Sequence, residues 1–192
     1  MVSAGAMRVR GAVLLALCGL LALHALHFFR PVDDAFISFR YSENLAAGRG
    51  WVFNAGERVE GYGNFLWVAL LAACCRLGAP IPASSRALGL LLSLATVLTA
   101  AALVRRILPS AKLAGLPAAL LLAASPAVAM WAGGGMEVPL FSFLALLASG
   151  FWMVESEGTP HPWRWPLVAC LASWVPATLA AQQDPAVVLR EE

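Results

Sequence analysis

Charge is what this sequence has least of. Only 12% of its 192 residues are Asp, Glu, Lys or Arg, against about 25% in soluble domains. Hydrophobic residues make up 60%, and the mean hydropathy is +0.77. So few charges cannot cover a water-facing surface, which excludes an ordinary soluble domain and leaves a membrane protein. A polybasic tract is also missing. The net charge is +2 and the basic residues stand singly or in pairs, so no nucleic-acid partner is expected. Cysteine is scarce as well, with four residues and no C-x-x-C. Cys18 and Cys170 lie in apolar runs and read as small core residues. The neighbours Cys74 and Cys75 are poor candidates for bridging each other, so no disulfide framework marks a redox compartment.

Long apolar runs are what the chain has in quantity. Arg8 and Arg10 precede residues 11–29, GAVLLALCGLLALHALHFF. A secretory signal core is shorter, about 7–15 residues, and ends in small residues, so this run reads as a retained first transmembrane helix. Residues 87–104, 113–132 and 138–154 are uncharged and close to the roughly 20 residues a bilayer core requires. A fifth run, 165–181, is weaker and interrupted by Pro176. Residues 65–75, FLWVALLAACC, hold only 11 apolar positions before Arg76, a length typical of buried, re-entrant or interfacial segments.

Charge parity decides the same point. Arg8 and Arg10 place the N-terminus in the cytoplasm, and the basic loop with Arg105, Arg106 and Lys112 belongs there too. That holds only if residues 65–75 do not span. The expected fold is therefore all-α: a polytopic helical membrane protein of about five transmembrane helices with an outer loop carrying short amphipathic helices. Residues 30–85 and 133–137 face outward; 105–112 and 155–164 face the cytoplasm. Arg40, Arg49, Arg58 and Arg76 then lie outside, in a loop near the length at which the charge rule loses force.

The outer loop opens with Asp33 and Asp34. The following AFISFRYSENLAAG has helical character, with Ile37, Tyr41 and Leu45 on one face, Phe36 beside them and Gly48 as a stop. One aspartate is expected to cap this helix. The second is free for chemistry, as a carboxylate that takes a proton from an attacking hydroxyl. The helix N-terminus favours negative charge and offers a docking point for phosphate. Downstream, Asn54–Gly56 reads as a turn. Arg49, Arg58, Glu57 and Glu60 supply polar binding groups, and Trp51, Phe53, Tyr62 and Trp67 supply flat surfaces suited to sugar rings. An interfacial aromatic belt with solvated charges explains the same residue types. Under this topology Glu137, in GGGMEVPLF, returns to the same membrane face as Asp33. His24 and His27 lie one turn apart in the first span, but no third or fourth ligand accompanies them, so they read as buried or interfacial rather than metal-binding.

The string V-D-D-A-F-I-S-F-R-Y-x-x-N-L-A-x-G-x-G-x-V-F-N-x-G-E-R-V-E-G-Y-x-N-F-L-W, covering most of residues 32–67, resembles the first outer loop of bacterial polytopic glycosyltransferases of the GT-C superfamily, among them the arabinofuranosyltransferase-like proteins. W-A-G-G-G-M-E-V-P-L-F resembles their second hallmark, S-G-M-E-T-x-L-F. More distantly, the spacing looks like that of lipid A aminoarabinose transferases and protein O-mannosyltransferases. The resemblance implies inverting transfer of a sugar from a polyprenyl-phosphate donor to a glycan, lipid or protein acceptor of the envelope, on the outer face of a bacterial plasma membrane. It makes Asp33 the general base and Asp34 its partner. It makes Arg40, Tyr41, Arg58, Glu60 and Asn64 candidates for substrate contact, with Glu137 in support. Some members use a divalent metal and others do not, so the metal question stays open.

The family's chains carry more spans and a T-R-P-E-G-like stretch. Here residues 1–154 match the N-terminal part of such a domain, while 155–192 comprise a cytoplasmic loop, the weak fifth run and an atypical tail. A truncated or frame-shifted product would explain that tail. The competing expectation is a non-catalytic membrane scaffold or accessory protein of the envelope or flagellar system. A transporter is the third, and it lacks the intramembrane charges and broken-helix pairs expected of one.

Overall fold

The structure, a computed structural model of the chain, describes residues 4–28, 30–57, 61–111, 113–156 and 167. Among them are seven helices and no strand: α1 (Ala4–His27), α2 (Asp33–Ala46), α3 (Phe65–Arg76), α4 (Ile81–Ile107), α5 (Leu116–Ala124), α6 (Pro126–Gly133) and α7 (Val138–Ser156). Helix α4 is the centre, packed against α1, α3, α5, α6 and α7.

The long helices are made by what they lack. After Pro82, which sits in the first turn, where a missing N–H costs nothing, the α4 sequence has no further proline. Gly89 is tolerated within α4 because α6 crosses there: a Cβ at Gly89 would lie 2.5 Å from the Ala132 carbonyl oxygen. Gly115, with φ +91°, likewise brings the start of α5 against the Ala101 carbonyl. Small residues thus set the spacing where backbones meet.

Two helices, Gly5–His27 and Ile81–Ile107, are long and apolar enough to cross a membrane. They support membrane association, though not the five spans expected. The run 113–132 is not one helix. It divides into α5 and α6, bent by 63°, and counts as a third span only if the bent pair is taken together. The cause is Pro126, which lacks an N–H and forces Ser125 out of the helical region, to φ −71° and ψ 119°. Ser125 Oγ then accepts from Val128 N–H at 3.5 Å and caps α6. This is a broken helix where an unbroken span was expected. Val138–Val154 is apolar but shorter than a span needs. The expected fifth run lies, apart from residue 167, outside the described residues.

One apolar cluster joins α1, α4, α5 and α6 through Leu21, Val97, Ala101, Ala119, Ala123 and Ala129. A second joins α2, α3, α4 and α7 through Ala35, Phe39, Trp67, Leu71, Ile81 and Leu140. The second cluster seats the polar end of the molecule. There α2 and α3 close with the same device, a Schellman motif. Gly48 (φ +76°) donates to Leu45 O at 3.1 Å and Arg49 N–H to Asn44 O at 2.9 Å. Gly78 (φ +86°) donates to Cys75 O at 2.9 Å and Ala79 N–H to Cys74 O at 3.0 Å. The expected stop at Gly48 is where the helix stops. Helix α3 is short and packs on α2, as expected of a segment too short to span.

Candidate functional site

The site is built at the end of the bundle where α1 finishes, α4 begins and the α6–α7 link turns. Val32 N–H donates to the Gly134 carbonyl at 2.9 Å, and Trp67 Nε1–H donates to the Gly135 carbonyl at 2.9 Å. Gly135 has φ +86°, and a Cβ there would stand 3.0 Å from Ala35 Cβ and 3.1 Å from Phe39 Cζ. The glycine link is therefore pressed onto the first turns of α2. Residues 32–67 and 131–141, far apart in sequence, meet at this point.

Asp33 and Asp34 are the first two residues of α2, and both are exposed. Neither caps the helix. The N-cap is Val32, with no side-chain hydrogen bond, so the expected capping role is corrected. Both carboxylates instead lie in the first turn, where the helix dipole favours negative charge.

The buried face of α2 divides the set Ile37, Tyr41 and Leu45: Tyr41 is buried, Leu45 half-buried and Ile37 exposed. Phe36 and Ile37 are exposed, at 56% and 37%, while Ala35, Ser38, Phe39, Tyr41, Ser42 and Asn44 face inward. The polar residues on this face spend their groups on neighbouring backbone. Ser42 Oγ–H reaches Ser38 O at 2.7 Å and Val68 O at 3.1 Å. Asn44 Nδ2 donates to Val52 O at 2.7 Å and Phe53 O at 2.8 Å, and its Oδ1 accepts from Arg49 Nε at 2.8 Å. Asn44 thereby folds the 49–53 strand of loop back along α2. The spacing of Ser38 and Ser42, one turn apart on a helix with an outward Phe36, was the available signal for this buried polar face.

Of the other expected site residues, Arg40 is exposed, donates from Nε to Phe53 O at 3.2 Å, and lies 3.7 Å from Glu43. Tyr41 is fully buried and its hydroxyl accepts from Gly61 N–H at 3.0 Å, so it holds the loop rather than facing a ligand. Arg58 and Glu60 lie outside the described residues. Asn64 is buried, with 4% exposure. Its Nδ2 donates to Ser38 Oγ and to Glu137 Oε2, both at 2.8 Å. Glu137 is half-buried at the start of α7, where its carbonyl accepts from Phe141 N–H at 3.0 Å.

The aromatic residues separate into two groups. Trp67 is fully buried and is a structural anchor, which corrects its reading as a sugar platform. Trp51 stacks on Phe65 at 4.3 Å and on Tyr62 at 5.4 Å, and Tyr62 lies 4.4 Å from Tyr41. Phe65 and Phe53 remain exposed, so this ladder presents apolar surface beside the polar end. The turn at Asn54–Gly56 forms as expected, with Glu57 N–H donating to Asn54 O at 3.2 Å and Asn54 Nδ2 to Glu57 Oε2 at 3.0 Å.

Among the described residues no group of three or more His, Cys, Asp or Glu side chains is placed to hold a metal ion. His24 and His27 pack against the Phe28 ring at 5.4 and 5.1 Å. No protein-family model matches this chain, and no curated protein or solved structure matches it at a significant level.

Proposed function

We propose that this chain carries the catalytic loop of a membrane glycosyltransferase of the GT-C type, moving a sugar from a polyprenyl-phosphate donor to an envelope acceptor on the outer membrane face. One observation carries the reading. Asn64 of the first resembling stretch donates to Glu137 of the second across 73 residues of sequence, at the end of the bundle that exposes Asp33 and Asp34. A site whose parts come from distant segments and converge on two helix starts is what group transfer to a bound hydroxyl needs.

In this reading Asp33 accepts the proton of the acceptor hydroxyl while that oxygen bonds to the anomeric carbon. The bond from that carbon to the phosphate oxygen breaks, the polyprenyl phosphate leaves with the electron pair, and the configuration inverts. Asp34 orients the acceptor. The Trp51–Phe65 surface offers a face for the sugar ring or the first isoprene units. Asp33→Asn keeps size and polarity but cannot take the proton. Membranes containing the protein should transfer radiolabelled sugar from undecaprenyl phosphate, and the Asp33→Asn membranes should not. Equal transfer by both would remove Asp33 from the role.

A second reading, a non-catalytic membrane component, draws on a different observation. Tyr41, Asn44 and Arg49 spend their polar groups within the loop. A scaffold would bind its envelope partner unchanged after Asp33→Asn.

A further inference from the structure

We infer that two copies of this chain pair in the membrane through the break between α5 and α6, around a two-fold axis along the bilayer normal. The inference draws on the backbone at Ser125–Pro126 and not on the chemistry of the outer end.

The depth of the break comes from its packing. Residues on both sides of it, Leu122 and Ala123 before and Val128 and Ala129 after, pack in one cluster with Leu21 and Val97. Leu21 is the eleventh of 19 residues in the apolar run 11–29, and Val97 is the eleventh of 18 in the run 87–104. The break therefore lies level with the middle of both runs. That is about 15 Å from either edge of the hydrocarbon core that α1 and α4 are long enough to cross.

A helix ends in carbonyls, and begins with N–H groups, that have no partner inside it. Here Ser125 N–H returns to the Leu122 carbonyl at 3.2 Å, Val128 N–H goes to Ser125 Oγ at 3.5 Å, and Ala129 N–H to the Ser125 carbonyl at 3.1 Å. In an unbroken helix the Ala124 carbonyl would take Val128 N–H, so it has lost its donor to Ser125. The extended Ser125 and the 63° bend likewise part Ala127 N–H from the Ala123 carbonyl. Ala124, Pro126 and Ala127 are all exposed among the described residues, and two methyls and a proline ring cover little of the peptide groups beneath. Lipid offers these groups nothing. Irregular backbone at this depth occurs only against protein or in a water-filled cavity.

The pairing of these groups selects the occupant. The break carries one acceptor and one donor three residues apart, so it is complementary to itself. A two-fold axis along the normal sets both breaks at one depth. Each Ala127 N–H then faces the other copy's Ala124 carbonyl, the reciprocal pattern of an isologous interface. Small residues at 124 and 127 allow the close backbone approach that this needs, and the exposed Leu120, Leu121 and Met130 flank the contact. An unrelated aliphatic helix would bury those side chains but leave both peptide groups unpaired.

The test uses the full chain in membranes, with its four cysteines replaced by serine for the cross-linking arm. Oxidation by copper phenanthroline should link Ala127→Cys into a disulfide dimer, since thiols across the axis reach the Cα separation of about 4.4–6.8 Å that a disulfide requires. Leu15→Cys, exposed on α1, should yield roughly tenfold less dimer, the background of random collision. Energy transfer between donor- and acceptor-labelled chains in vesicles, followed on dilution with lipid, should show the wild type as a dimer. Ala127→Leu adds bulk at an exposed position and should self-associate roughly tenfold more weakly by blocking the backbone approach. Ala124→Leu serves if that variant does not fold. A monomeric wild type overturns the inference, as does a failure of Ala127→Cys to cross-link above Leu15→Cys. Wild-type association by the leucine variant overturns it too. So does modification of Ala127→Cys by a charged methanethiosulfonate, because a thiol ionises there only where water covers the break.

Discussion

Trp67 Nε1–H donates to the Gly135 carbonyl oxygen at 2.9 Å, joining residues 68 positions apart. The indole is fully buried, so this bond forms away from water and has no ready replacement. It ties α3 to the link between α6 and α7. Since α3 also packs on α2, the bond helps hold the helix that presents Asp33 and Asp34 against the turn that presents Glu137.

Trp67→Phe keeps an aromatic ring in the cluster that includes Ala35, Phe39 and Leu71 but removes the donor. It leaves the Gly135 carbonyl without this partner, at a cost of about 1–3 kcal/mol. Thermal unfolding of the purified protein in detergent should register the loss. Trp51→Phe serves as the comparison. Trp51 is half-buried and engages Phe65 and Tyr62 through ring faces alone, so a smaller aromatic ring should cost under about 1.5 kcal/mol.

Gly135→Ala should be worse than its small size suggests. The backbone at φ +86° disfavours any L side chain, and the new methyl would stand 3.0 Å from Ala35 Cβ and 3.1 Å from Phe39 Cζ. Strain and crowding together should cost roughly 2–4 kcal/mol. Gly56 has the same φ of +86° with open space around it, so Gly56→Ala isolates the strain. A melting comparison of the two variants separates packing from backbone conformation, and equal losses would refute the close docking of the link.

Hydropathy and charge gave the helices well and their continuity poorly. The runs behind α1 and α4 were legible because length and apolar content alone decide them. The 113–132 run had the same content, yet its single Ser125–Pro126 step outweighs hydropathy, since proline acts through backbone geometry that an apolar average does not contain. Periodicity alone does not fix the inward face of α2. It groups Ile37, Tyr41 and Leu45, of which Tyr41 is buried and Ile37 exposed, while Ser38 and Ser42 turn inward and Phe36 outward. Asp33, Asp34, Asn64 and Glu137 were legible as chemical types. Their convergence was not, because it depends on backbone bonds to Gly134 and Gly135 that no local spacing encodes.

The two aspartates offer a way to separate chemistry from stability. Both are exposed in the first turn of α2, where a carboxylate contributes typically 0.3–1 kcal/mol through the helix dipole. Asp33→Asn and Asp34→Asn should therefore each lower stability by under about 1 kcal/mol. If Asp33 is the base, its variant should lose about 10²–10⁴ in transfer rate, far beyond what such a change in folding explains. Melting curves and transfer rates measured on the same preparations check both halves. A large stability loss at Asp33 would mean a structural role and weaken the catalytic one.

Sidedness can be tested without any substrate. Helix α4 has 27 residues, about 40 Å of helix at 1.5 Å per residue, against a hydrocarbon core of about 30 Å. Its two ends must then lie on opposite sides if it spans. Ala55 is exposed in the loop at one end, and Ser110 is exposed just beyond the other. With Cys18, Cys74, Cys75 and Cys170 replaced by serine, single Ala55→Cys and Ser110→Cys variants carry one thiol each. A membrane-impermeant maleimide applied to intact cells should label the cysteine at 55 and spare the one at 110 until the cells are opened. Arg105 and Arg106 at the end of α4 predict that orientation, because basic residues resist translocation. The reverse labelling would put Asp33 on the cytoplasmic side, where an acceptor of the outer envelope could not reach it. The proposed transfer would then fail on geometry alone.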